Sequence, residues 1–133
     1  MDASEKELVL KVASLMEKGS EGKTQITGHY FGANENECCA MGAVYQAVGI
    51  KDSDSLALDG KNEKLGIVTW PRLGFPDSEE NPFAPNDLNK AMLPDVVIFL
   101  NDRLGWSFSK IVDYLRDATL DQPVITGRKS KKR

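Results

Sequence analysis

Two adjacent cysteines, Cys38 and Cys39, and the chain's only histidine, His29, nine residues before them, are the side chains most able to do chemistry here. A thiol and an imidazole, with Asn101 or Asp102 to orient the ring, are the parts of a cysteine-dependent hydrolase or transferase. The run from Cys38 to Val48 suits the interior of a helix that begins near Asn36, and cysteines in its first turn would feel the partial positive charge that lowers a thiol's pKa. The same apolar run fits a plainer role, because free cysteines generally behave as small buried hydrophobes. The structural role is the expected one, with Cys39 the more buried of the two.

Neither a metal nor another cofactor is expected. To bind zinc, His29, Cys38 and Cys39 would have to recruit a carboxylate, and adjacent helical side chains point about 100° apart. Asp52-Ser53-Asp54-Ser55-Leu56 begins like a calcium loop, but the sixth position lacks the required glycine. A glycine-rich phosphate loop, a Gly-x-Ser-x-Gly elbow and a His-Glu-x-x-His pair are all absent from the sequence.

The elements that must position these residues are read from caps and periodicity. Helix one is predicted from Ser4 to Lys18, with Ser4 and Glu7 as a capping box, Gly19 as stop, and Leu8, Val12, Leu15 and Met16 as its apolar stripe. Residues 19–36 read as a glycine-punctuated loop with a short extended stretch at Thr24–Thr27. Helix two is predicted from an Asn36 cap to Val48. It is apolar almost all round and therefore central, with Gly42 between Ala40 and Ala43 allowing a neighbour to approach closely. Leu65–Trp70 reads as a short strand or extended loop, and Pro71, Pro76, Pro82 and Pro85 make residues 72–85 an irregular connector. Helix three is predicted from Asn86 or Asp87 toward Leu104, divided at Pro94, with Val96, Val97, Phe99 and Leu100 in the core. Ser107 caps helix four, whose stripe is Phe108, Ile111, Val112 and Leu115 and which ends at Ala118. The fold class is mainly α: one small domain, residues 1–127, of about four helices with a long irregular connector and one short strand or hairpin.

The composition is that of a globular protein: 133 residues, 41% hydrophobic and 28% charged. Net charge is −3, but Arg128-Lys129-Ser130-Lys131-Lys132-Arg133 forms a basic tail, leaving twelve basic against twenty acidic side chains, net −8, in residues 1–127. Such a tail could touch nucleic acid without reading its sequence. Helices three and four, joined by Gly105-Trp106, have helix-turn-helix lengths. Lys110, Asp113, Arg116 and Asp117 nevertheless give the second of them a balanced rather than basic face. No membrane association and no secretory signal are expected, and unpaired cysteines suit the cytoplasm.

Cys39-Ala40-Met41-Gly42-Ala43, the later Asn101-Asp102 and the amphipathic helix after it resemble an uncharacterised family of small bacterial and phage proteins. That family has a Cys-Ala-x-Gly-Ala helix start, a later Trp-Asn-Asp and a short final helix. Thr24-Gln25 is similar to a pair upstream in the same family. This chain departs from the pattern in carrying Leu100 where tryptophan is usual, and residues 65–85 have no counterpart. The resemblance implies a mainly helical fold and a bacterial or phage origin, and marks Cys39, Gly42, Ala43, Asn101 and Asp102 as its motif. Physical reasoning gives the motif a structural part: Asn101 and Asp102 would accept hydrogen bonds from the unsatisfied amides that open helix two.

The function expected is a non-enzymatic binding protein, a phage-encoded factor that binds or inhibits a host protein in the host-cell cytoplasm. Trp70, Phe75 and Phe83 are its candidate anchors, because aromatic side chains often dominate interfaces. The alternatives are the cysteine hydrolase or transferase and a nucleic-acid binder using the helix pair or the tail.

Overall fold

A computed structural model describes residues 2–50, 65–66, 69–74 and 91–120. Helix α1 (Ala3–Gly19) opens on Asp2, whose carboxylate accepts the Glu5 N–H at 2.8 Å while Glu5 accepts the Asp2 N–H at 2.9 Å. This capping box lies two residues before the predicted Ser4–Glu7 pair. Asp2 caps as well as serine does, and Ser4 instead donates its hydroxyl to Asp2. Val9, Val12, Ala13 and Met16 form the buried stripe, with Leu8 and Leu15 at its margins.

Helix α2 (Ala40–Ala47) is buried without interruption from Ala40 to Tyr45, as its lack of a polar face requires. Its cap, Cys39, lies three residues later than the predicted Asn36 cap. Asn36 lies in a turn, where the Asn34 side chain accepts its N–H, and Glu37–Cys38 forms strand β2. β2 runs parallel to β1 (Thr24–Gln25), with Thr24 opposite Glu37 and Gln25 opposite Cys38. Cys38 also bridges antiparallel to Phe31, folding the 26–36 loop back over the start of α2.

Two glycines set how closely α2 is approached. A Cβ on Gly19 would strike the Ala43 carbonyl, and one on Gly42 would strike the Tyr30 carbonyl. Both obstacles are backbone, so neither could swing aside.

Among the described residues, Arg72–Leu73 (β3) pairs antiparallel with Ala91–Met92 (β4), so the start of the expected irregular connector is extended. Leu65 is helical and Trp70 is outside regular structure, so these two do not form the strand considered for 65–70. Helix α3 (Leu93–Asp102) carries Pro94 in its first turn, where a missing N–H costs nothing. Pro94 therefore opens this helix instead of dividing one. The predicted start at Asn86 or Asp87 lies outside the described residues. Helix α4 (Phe108–Ala118) has the predicted boundaries and cap, with the Ser107 hydroxyl accepting the Lys110 N–H at 3.2 Å.

The protein is mainly α. The described residues form four helices and two two-stranded sheets. α1 packs on α2 and α4, and α3 contacts both α2 and α4. The basic tail, 128–133, lies outside the described residues.

Candidate functional site

Asn101, at the end of α3, is 1% exposed and fully hydrogen-bonded. Its amide oxygen accepts the Ala40 N–H at 3.0 Å and the Gln25 Nε2 at 2.7 Å. Its Nδ2 donates to the Ile26 carbonyl and to Asp102 Oδ1, both at 2.8 Å. Two acceptor and two donor bonds complete the capacity of a carboxamide. Gln25 mirrors it: its Oε1 accepts the Phe108 N–H at 3.0 Å, and its Nε2 also reaches the Trp106 carbonyl at 2.8 Å.

Helices α2 and α4 are consequently opened by the same two-part cap. An N-cap side chain, Cys39 or Ser107, takes the third amide, Gly42 or Lys110. A carboxamide oxygen from elsewhere in the chain, Asn101 or Gln25, takes the first. Two of the orphan donors of each helix are thereby satisfied. The hydrogen bond expected from the start of helix two to the Asn101–Asp102 pair is present, made by Asn101 alone.

The cysteines do not sit in a first helical turn. Cys38 ends β2 and Cys39 is the N-cap of α2, its sulfur accepting the Gly42 N–H at 3.4 Å. Both thiols are free and buried, Cys38 at 0% and Cys39 at 4% exposure, so Cys38 is the more enclosed, contrary to the sequence expectation. Burial pushes the Cys38 thiol up to about 11, with Lys23 pulling weakly the other way. Burial also raises Cys39, outweighing the Gly42 N–H that favours its thiolate. The activation expected from the helix terminus is therefore reversed, because desolvation of a charge exceeds a partial helix charge.

A cleft of about 360 Å³ lies between the glycine-flanked loop at 28–31 and α3, lined by Gly28, His29, Tyr30, Phe31, Cys39, Ile98 and Asp102. It gathers three of the five predicted candidates: His29, Cys39 and Asp102. Cys38 and Asn101 are not among its lining residues. His29 is exposed, and among the described residues no hydrogen bond joins it to Cys39. The loop is held by the Cys39 N–H donating to the Tyr30 carbonyl at 3.1 Å, directly over Gly42. The Tyr30 ring packs edge-on to Tyr45 at 5.4 Å and tilted against Phe31 at 6.3 Å. The part played by Gln25 and the aromatic wall of the cleft were not assigned from the sequence. The available signals were an aromatic pair set between Gly28 and Gly32 and, for Gln25, the Thr24-Gln25 pair of the resemblance.

Trp70 is half-buried at a separate cleft of about 520 Å³, against Leu8, Lys11 and the first turn of α1. Phe75 and Phe83 lie outside the described residues. On α4, Lys110 sits 4.3 Å from the centre of the Trp106 ring and Arg116 pairs with Glu17 at 2.9 Å. Among the described residues, no group of three or more His, Cys, Asp or Glu side chains is placed to hold a metal ion. No helix among them is long and apolar enough to cross a membrane. The chain matches no known protein family, no curated protein and no solved structure.

Proposed function

We propose that this chain is a small non-enzymatic binding protein acting on a protein partner in the cytoplasm, a phage-encoded factor directed at a host protein. The observation that supports this reading is the engagement of Asn101. Asn101, one of the two residues that could orient a catalytic imidazole, has all four of its hydrogen bonds committed to Gln25, Ala40, Ile26 and Asp102. Cys39, in turn, caps a helix with its pKa raised. Chemistry-bearing side chains serve the scaffold, and concave surfaces at Tyr30–Phe31 and at Trp70 are left to contact a partner.

A cysteine hydrolase is the second reading, favoured by the placement of Cys39, His29 and Asp102 around one cleft. A nucleic-acid reader using α3 and α4 has less support, since Lys110 and Arg116 are engaged with Trp106 and Glu17. The experiment pairs affinity capture from bacterial lysate with thiol labelling of the native protein. A partner captured by the wild type and lost in Trp70→Ala at unchanged stability, with Cys39 slow to label, supports the binding reading. Rapid native labelling of Cys39, slowed by His29→Ala, with no partner captured, replaces it with the hydrolase.

A further inference from the structure

We propose that the cleft between the 28–31 loop and α3 receives one arginine side chain from a basic segment of a partner protein, an inference that rests on the binding reading above. Size is the first argument. At about 360 Å³ the cleft is near the lower end of ligand pockets, and suits one long side chain better than a cofactor.

The second argument is chemistry. One wall is aromatic, with Phe31 tilted against Tyr30 and Tyr30 braced on buried Tyr45. The other is α3, which presents Ile98 and, one turn on, Asp102. Asn101 Nδ2 holds Asp102 Oδ1 at 2.8 Å, fixing the carboxylate, and no other described side chain or amide donates to it. An aromatic face beside an oriented carboxylate is what a planar guanidinium needs, stacking on the ring while forking onto the oxygens.

Charge is the third argument. Arg103 beside Asp102 is exposed and forms no ion pair with it. Net charge of −8 over residues 1–127 favours encounter with a basic partner.

The test is a titration of the full chain, followed by amide NMR, with acetyl-Gly-Arg-Gly-amide and its citrulline and lysine counterparts. One anchor residue taken from an interface is expected to bind with a Kd on the order of 1 mM. Saturable shifts at Tyr30, Phe31, Cys39 and Asp102 are expected with the arginine peptide. Neutral citrulline, or Asp102→Asn in the protein, should weaken binding about tenfold, the loss of one charge-assisted contact. Asp102→Asn keeps an oxygen for Asn101 and is expected to fold. If it does not, exposed Asp95→Asn should still weaken binding by about twofold through charge alone. Equal responses to arginine and citrulline, or to arginine and lysine, or shifts confined to other surfaces, would overturn the assignment. A captured partner held equally by wild type and Asp102→Asn overturns this inference and leaves the binding reading intact. Failure of capture with rapid Cys39 labelling overturns the reading itself.

Discussion

Gln25 and Asn101, 76 residues apart in the chain, share one carboxamide hydrogen bond of 2.7 Å, and each caps the first amide of a different helix. Neither amide could be flipped without losing partners: Gln25 Nε2 faces the Trp106 carbonyl, and Asn101 Nδ2 faces the Ile26 carbonyl. The start of α2, the end of α3, the start of α4 and β1 therefore form one polar unit, buried at Asn101 and Ala40 and partly buried at Gln25.

Asn101→Ala should be among the most damaging single substitutions. It leaves the Ala40 N–H, the Ile26 carbonyl and one Gln25 proton without partners, and about 3–5 kcal/mol of stability should be lost, read from urea unfolding. Asn101→Asp keeps the oxygen but sets a second carboxylate beside Asp102 and the Ile26 carbonyl. The introduced acid should titrate above its unfolded value. Its defect should therefore be smallest in acid and grow as pH rises through the carboxylate range. A defect independent of pH would contradict this.

Gly42→Ala should destabilise by about 1–3 kcal/mol or prevent folding, because the new methyl meets the Tyr30 carbonyl. Gly19→Ala should behave similarly against Ala43. Gly74→Ala, where a Cβ meets nothing within 4 Å, serves as the control. Thermal unfolding of the three variants side by side provides the check.

Cys39→Ser should cost less than Cys39→Ala. The position is an N-cap whose sulfur already accepts the Gly42 N–H, and serine is a stronger cap than cysteine, offsetting the burial of a hydroxyl. Serine is expected within about 1 kcal/mol of wild type, and alanine to lose about 1 kcal/mol more than serine. The reverse order in chemical denaturation would show that the cap contributes little.

Stability should fall in alkali from about pH 9 upward. The Cys38 thiol ionises near its ordinary 9.0 when unfolded and at about 11 when folded, so between those values the unfolded chain binds fewer protons. The contribution is complete below pH 9 and lost as pH rises toward 11. Cys38→Ala should flatten that part of the stability profile. Burial also raises Cys39 from its ordinary 9.0 and Tyr45 and Tyr114 from their ordinary 10.0, which add declines of the same sign from those values upward, and those parts should survive in the variant.

Local signals were enough to read some elements. Ser107 and the stripe of Ile111, Val112 and Leu115 determine α4, because a cap and a 3.6-residue period are properties of neighbours in sequence. The unbroken apolar run of α2 required its burial, and Gly42 within it pointed to a close approach. The true starts of α1 and α2 were less legible. Asp2 competes with Ser4 for the first cap, and Asn36 is a good cap whose backbone is drawn into a turn by Asn34 and Glu37.

What the sequence by itself determined is therefore the mainly α fold, the central helix and the residue types that could serve a site. The tertiary structure decided what those residues do. Pairing of β2 with β1 holds Glu37–Cys38 in a strand and makes Cys39 a cap, and the surrounding apolar core raises both thiols instead of activating them. It also brought Gln25 to Asn101 and set His29, Cys39 and Asp102 around one cleft. Hydrogen bonds spanning 61 to 83 residues leave no local periodicity, so they become visible only when the chain has closed on itself.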